Sequence, residues 1–315
     1  MKRTFILVAI LVFMWVASPA YAFWIWTPKT GKWINPKTAA KETPKAQLEF
    51  AQGFYEGKEY EEAKREFKKL LKNYPKSAQA AEGQYYLGLI DEAEGNLYEA
   101  YQSYQKVIDK YPFSVRIAEI NEREYKIAES FLAGEKRKAM GVVLPVENPA
   151  IEIFSKVVEN STYGPLAPKA QYKLGVVLKS LMRYYEAEEA FTKVVTNYPD
   201  SEWAEAAKFQ IASCRANLSR SPAYDQGATQ EAKEKFQEFI KEHPDVALTQ
   251  EAEKQLEDLR EKEAESSYGI GRFYEKQKDY EAAKIYYNDV ISKHSNSIWA
   301  ARSFDRLQVM EAKKK

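Results

Sequence analysis

Residues 84–114 read QYYLGLIDEAEGNLYEAYQSYQKVIDKYPFS, and the spacing inside this stretch decides the fold. Tyr104 and Val107 follow Ala100 by four and seven positions, which places all three on one face of a helix. Gly88 stands twelve residues before Ala100, and Pro112 twelve after it. A small residue on each of two consecutive helices lets the pair approach closely, and the aromatic then fills the space beneath them. Pro112 ends the second helix, because proline has no amide hydrogen to donate and crowds the preceding turn. The stretch therefore encodes one helical hairpin.

The pattern recurs as Ala63/Phe67/Leu70, Ala150/Phe154/Val157, Ala187/Phe191/Val194, Ala232/Phe236/Phe239 and Ala283/Tyr287/Val290. Ala51, Gly175 and Gly271 hold the small position twelve residues ahead. Two hairpins are stretched: Ala128 precedes Ala150 by 22 residues and Ala212 precedes Ala232 by 20, with insertions expected at 134–145 and 219–228. Pro75, Pro199 and Pro244 close second helices; Ser77, Ser114 and Ser201 are candidate N-caps, and Thr43-Pro44 and Asn148-Pro149 are helix starts. One hairpin cannot bury its own apolar face, so the units must stack.

This pattern resembles the tetratricopeptide repeat. The resemblance implies an all-α superhelical solenoid of about six hairpins. The array is expected over 43–315, with repeats near 44–77, 81–114, 116–163, 168–201, 203–246 and 264–297 and a capping helix at 298–312.

Composition narrows the function. The chain has 47 Lys and Arg against 46 Asp and Glu, a net charge of +1 with both signs interleaved. A nucleic-acid binder needs a basic surface that releases counterions, so that class is set aside. The single Cys214 excludes an internal disulfide framework and any multi-cysteine metal site. His243 and His294 occupy the slot that Tyr74, Tyr111 and Tyr198 fill elsewhere, so they read as packing or capping residues. Cys214 reads as a small buried hydrophobe. No catalytic, metal or cofactor constellation is assigned.

Lys2-Arg3, the apolar run 5–16, Pro19 and Ala20-Tyr21-Ala22 form an export signal, with cleavage expected between Ala22 and Phe23. Left uncleaved, this segment is long enough to span a bilayer. No cysteine stands just after the cleavage site, so no lipid anchor is assigned. Residues 23–42 carry Trp24, Trp26 and Trp33 around a Pro/Gly turn, and a hairpin capping the first repeat is expected there. Glu135-Lys136-Arg137-Lys138 reads as a solvated loop.

First helices of tetratricopeptide hairpins line a concave groove. Tyr85, Tyr125, Tyr172, Phe209 and Tyr268 share one position, three residues before the small residue. Repetition of a rigid amphipathic ring suits peptide capture, with Gln52, Glu129 and Arg272 setting orientation; packing against the neighbouring repeat is the competing expectation.

Within the repeat class, Tyr224-Asp225-Gln226 with Thr229 and Ala232, then Leu259-Arg260-Glu261 with Ala264, Tyr268, Arg272-Phe273-Tyr274, Tyr280 and Ala282-Ala283, resemble the BamD or YfiO-like outer-membrane assembly factors. The resemblance implies a non-enzymatic scaffold in the periplasm, at the inner face of the outer membrane. Its implied partners are a barrel-forming assembly component and unfolded outer-membrane clients. Membrane association would run through those partners or through an uncleaved N-terminal segment. Tyr286 takes the place of an arginine that the family tends to carry near its contact with the barrel partner. The alternative is a general envelope adaptor, such as a cell-division coordinator-like protein.

Overall fold

Every residue of the six Ala–aromatic–apolar triplets lies on a helix and is at most 2% exposed. The computed structural model of the chain describes residues 24–27, 31–35, 39–139, 142–143, 147–218, 226–244 and 247–314. The expected export signal, its Ala22/Phe23 junction, and Tyr224 and Asp225 lie outside those residues. Among the described residues, thirteen helices carry the fold, and they fall into two compact units that divide between Arg116 and Ile117. The all-helical repeat class expected from the spacing is the observed one.

The first unit holds β1 (Ile25–Thr27), β2 (Lys32–Ile34), α1 (Pro44–Glu56), α2 (Tyr60–Asn73), α3 (Ala78–Ala93) and α4 (Leu97–Lys110). The second holds α5 (Ile117–Leu132), β3 (Lys138–Ala139), β4 (Val142–Val143), α6 (Ala150–Asn160), α7 (Ala167–Ser180) and α8 (Tyr184–Asn197). It continues with α9 (Glu202–Leu218), α10 (Gln226–Glu242), α11 (Ala247–Lys276), α12 (Tyr280–Lys293) and α13 (Ile298–Lys314). The strands form two separate antiparallel pairs, β1–β2 and β3–β4.

Tight turns explain why consecutive helices fold back on each other. Gly95, Lys58, Met182 and Lys278 each stand five residues before the hairpin alanine with φ of 77°, 60°, 59° and 66°. The left-handed residue lets the next amide reach back to a carbonyl of the helix just ended. Asn96 N donates to Asp91 O at 2.8 Å, and Arg183 N to Leu178 O at 3.0 Å. Thr43 and Ser77 cap α1 and α3, accepting from Ala46 N and Ala80 N at 3.2 Å each.

Two expected boundaries move. α10 begins at Gln226, so the insertion placed at 219–228 ends sooner. α11 runs unbroken for 30 residues, where the sixth repeat was expected to begin near 264. Residues 247–268 hold neither proline nor glycine, so nothing local stops the helix. Its first half packs Ala252, Leu256 and Leu259 against Phe236 and Phe239 of α10. Its second half pairs with α12.

The expected N-terminal cap is not formed. The β1–β2 hairpin exists, yet Trp24, Trp26 and Trp33 remain 55%, 47% and 62% exposed. Residues just ahead of α1 meet the first repeat instead. Lys41 N donates to Gln47 Oε1 at 2.7 Å, the Tyr74 hydroxyl donates to Lys41 O, and Lys41 Nζ lies 3.8 Å from the centre of the Phe50 ring.

Candidate functional site

The shared aromatic position on the first helices is built the same way in five hairpins. Each ring packs on the triplet aromatic of its own second helix. Centroids are 5.8 Å apart for Tyr85–Tyr104, 5.5 Å for Tyr125–Phe154, 5.3 Å for Tyr172–Phe191, 5.9 Å for Phe209–Phe236 and 5.6 Å for Tyr268–Tyr287. The outer side of the ring meets a later element. Trp203 and Trp299 lie 5.1 Å from Tyr172 and Tyr268, Arg116 lies 4.9 Å from Tyr85, and Lys169 Nζ lies 4.7 Å from Tyr125. These contacts are tilted aromatic pairs and cation–π contacts, both favourable geometries.

Burial then separates the five. Tyr85 and Tyr125 are 2% and 4% exposed, and Phe209 is also buried, so burial takes almost all of their ring surface out of a partner's reach. Tyr172 and Tyr268 stay half-buried, as do Gln52, Glu129, Arg272 and Tyr286. Gln52, Glu129, Ser213 and Arg272 each follow a small residue by one position, so they recur on one face of the first helices.

In the second unit, polar bridges link the first helices along this face. Lys173 Nζ lies 3.6 Å from Glu129 Oε1, and Lys179 Nζ donates to Gln210 Oε1 at 2.6 Å and to Ser213 Oγ at 2.8 Å. Both acceptors of Lys179 are neutral, and burial lowers its pKa. Burial and the hydrogen bond to Glu129, at 2.8 Å, push the Tyr125 phenol well up. Cys214 is buried in the α7–α9 core, and that burial raises its thiol to about 11.

The C-terminal hairpin holds a polar cluster with α13. The Tyr287 hydroxyl donates to Glu275 Oε2 at 2.8 Å, and Arg306 of α13 donates to the same oxygen at 3.1 Å. Those bonds, Arg306 foremost, hold the Glu275 carboxyl below its usual range. Arg272 donates to the Tyr268 hydroxyl at 3.4 Å, and Tyr286 stacks on Tyr274 at 5.6 Å. Around this cluster Phe273, Ile285 and Phe304 are exposed.

Two features escaped the sequence reading. Gln47, Gln84 and Gln171 are buried, and each donates from Nε2 to a backbone carbonyl of the second helix 19 residues on. The acceptors are Glu66 O and Ser103 O at 3.1 Å and Ala190 O at 3.0 Å. A glutamine recurring four residues before the small position was the available signal; Glu124 takes that place in the third hairpin. The hydroxyls of Tyr111 and Tyr198 each donate to a carbonyl 36 residues back, Pro75 O and Thr162 O, and so tie successive hairpins together. His243 takes a related part, its Nδ1 lying 2.9 Å from Glu205 Oε1.

Residues 218–315, which span α10 to α13, match the family of outer membrane lipoproteins called YfiO. Residues 48–115 and 169–201 match tetratricopeptide repeat families. No curated protein matches the chain. Among solved structures, the chain is similar to the C-terminal part of a tetratricopeptide repeat protein from Cytophaga hutchinsonii, at 19% identity over 96% of this chain and 95% of that one, with a TM-score of 0.37. It is also similar to a tetratricopeptide repeat protein from Parabacteroides merdae, at 17% identity over 80% and 94% of the two chains, with a TM-score of 0.34. MamA from Desulfovibrio magneticus is similar at 17% identity over 66% and 100%, with a TM-score of 0.31.

Proposed function

We propose, from the premise that this chain is a YfiO-like tetratricopeptide repeat protein and a scaffold for protein–protein interaction, that it serves outer-membrane β-barrel assembly from the periplasmic side. The observation that carries this reading is the place of the YfiO match. It covers α10 to α13, the elements that bear Arg272, Tyr286 and the exposed Phe273, Ile285 and Phe304. Exposed apolar side chains together with charged, hydrogen-bonding ones on the same elements suit a protein partner, which would bury the apolar ones as anchors. In this reading the C-terminal hairpin holds a barrel-forming assembly component. Within the second unit, the half-buried face of the first helices, with Glu129, Tyr172 and Tyr268, takes extended client segments. Scaffold families of this kind are generally non-enzymatic, and binding is the whole of the proposed chemistry.

Affinity capture from detergent-solubilised envelopes tests the reading. The expected catch is a barrel-forming assembly protein, lost in the Phe273→Ser/Ile285→Ser variant while helix content stays unchanged. Recovery of cell-division proteins in its place, or capture indifferent to those two positions, would overturn it.

A further inference from the structure

β1 and β2 pair with Trp26 opposite Trp33, so both rings project from the same face of the hairpin. Trp24 stands two residues before Trp26, just ahead of β1. The rings of Trp26 and Trp33 lie 5.7 Å apart at 60°, held by each other, and all three indoles are exposed. Two strands of three residues each offer far less than the roughly 800 Å² per partner of a standard protein interface. An indole has an apolar body with a polar N–H, and it partitions to the headgroup level of a bilayer.

Charge points the same way. In a chain of nearly balanced charge, the first acidic residue is Glu42, whereas Lys29, Lys32, Lys37 and Lys41 all precede it. The Trp-bearing segment is thus locally basic, complementary to anionic lipid phosphates. Among the described residues no helix is long and apolar enough to cross a membrane.

We infer that the N-terminal hairpin is an interfacial membrane contact, seating Trp24, Trp26 and Trp33 among the headgroups of an anionic bilayer. The excess of lysine over acidic residues in this part of the sequence is complementary to the lipid phosphates. This inference goes beyond the scaffold reading and does not rest on it.

The test uses the full chain with phosphatidylglycerol vesicles whose acyl chains are brominated close to the headgroup, with phosphatidylcholine vesicles as the comparison. Residues 5–16 can partition by themselves, so the deciding readout is quenching of tryptophan fluorescence at shallow depth, backed by flotation. Shallow quenching in the native chain is expected, most of it lost in a Trp24→Ser/Trp26→Ser/Trp33→Ser variant, with partitioning weaker by about tenfold or more. Replacing Lys29, Lys32 and Lys37 by glutamine should weaken binding to the anionic vesicles by roughly fivefold per lysine at low salt and leave phosphatidylcholine unaffected. Native tryptophans that stay unquenched, or equal quenching in the triple variant, would overturn the inference. So would loss of helix content in that variant, which would make the hairpin structural, or binding to peptidoglycan sacculi without quenching by lipid.

Discussion

Gly175 of α7 lies flat against the Phe191 ring of α8: a Cβ built on Gly175 would stand 2.6 Å from ring carbon Cε1. Gly271 meets Tyr287 in the same way, with the nearest ring carbon at 2.8 Å. The small position thus sets how near the two helices come, and the ring fills what remains. Gly175→Ala should cost about 1–3 kcal/mol through overpacking. Gly269→Ala, on α11 with nothing within 4 Å of its Cβ, should instead gain up to about 1 kcal/mol from helix propensity. Urea unfolding checks both, and a Gly175→Ala protein as stable as the native one would contradict the packing account.

The hairpin turns give the opposite prediction. Met182 holds φ of 59° where the second hairpin has Gly95 at 77°. A side chain in the left-handed region is strained, and Met182 is largely exposed, so little packing is lost with it. Met182→Gly should raise stability by about 0.5–1 kcal/mol despite the entropy glycine adds to the unfolded chain. A lower midpoint in thermal melts would show that the turn is unstrained.

Burial makes the ring positions separable by experiment. Tyr85→Ala and Tyr125→Ala should each destabilise the fold by about 3–5 kcal/mol, since each ring is packed on both sides. Gln52→Ala, at a half-buried position, should stay within about 0.5 kcal/mol of native stability and act on partner binding alone. Circular dichroism melts beside a client-binding assay would tell the two classes apart.

Acid should act through Glu275. Its folded carboxyl titrates below the ordinary value of 4.5, so it contributes stability above that value and loses it as pH falls through the lower folded one. Glu275→Gln should cost about 1–3 kcal/mol at neutral pH, by weakening the bonds from Tyr287 and Arg306. The gap between native and variant should then close as pH drops below the ordinary carboxylate range. A gap that persists unchanged into acid would assign the loss to packing.

Cys214 should be silent to thiol reagents while the chain is folded. Its thiol is buried and raised to about 11, so almost no thiolate exists at pH 8. Rapid labelling by an aromatic disulfide before unfolding would mean that the α7–α9 core opens readily.

The sequence by itself determined the hairpins. Ala63/Phe67/Leu70 and its five counterparts could be read because helical period and volume complementarity are local, set by offsets of four, seven and twelve residues. Tertiary structure alone decided which repeated residues are core and which are surface. Tyr85 and Tyr172 hold the same position and pack on the same kind of partner, yet only Tyr85 is fully buried. Arg116 and Trp203, each 31 residues downstream, are among the side chains that meet these rings, and how fully a ring is covered is a matter of packing. The exposed tryptophan face belongs with it. In each case the outcome rests on what a neighbouring element covers or leaves open, and that is settled only when the elements meet.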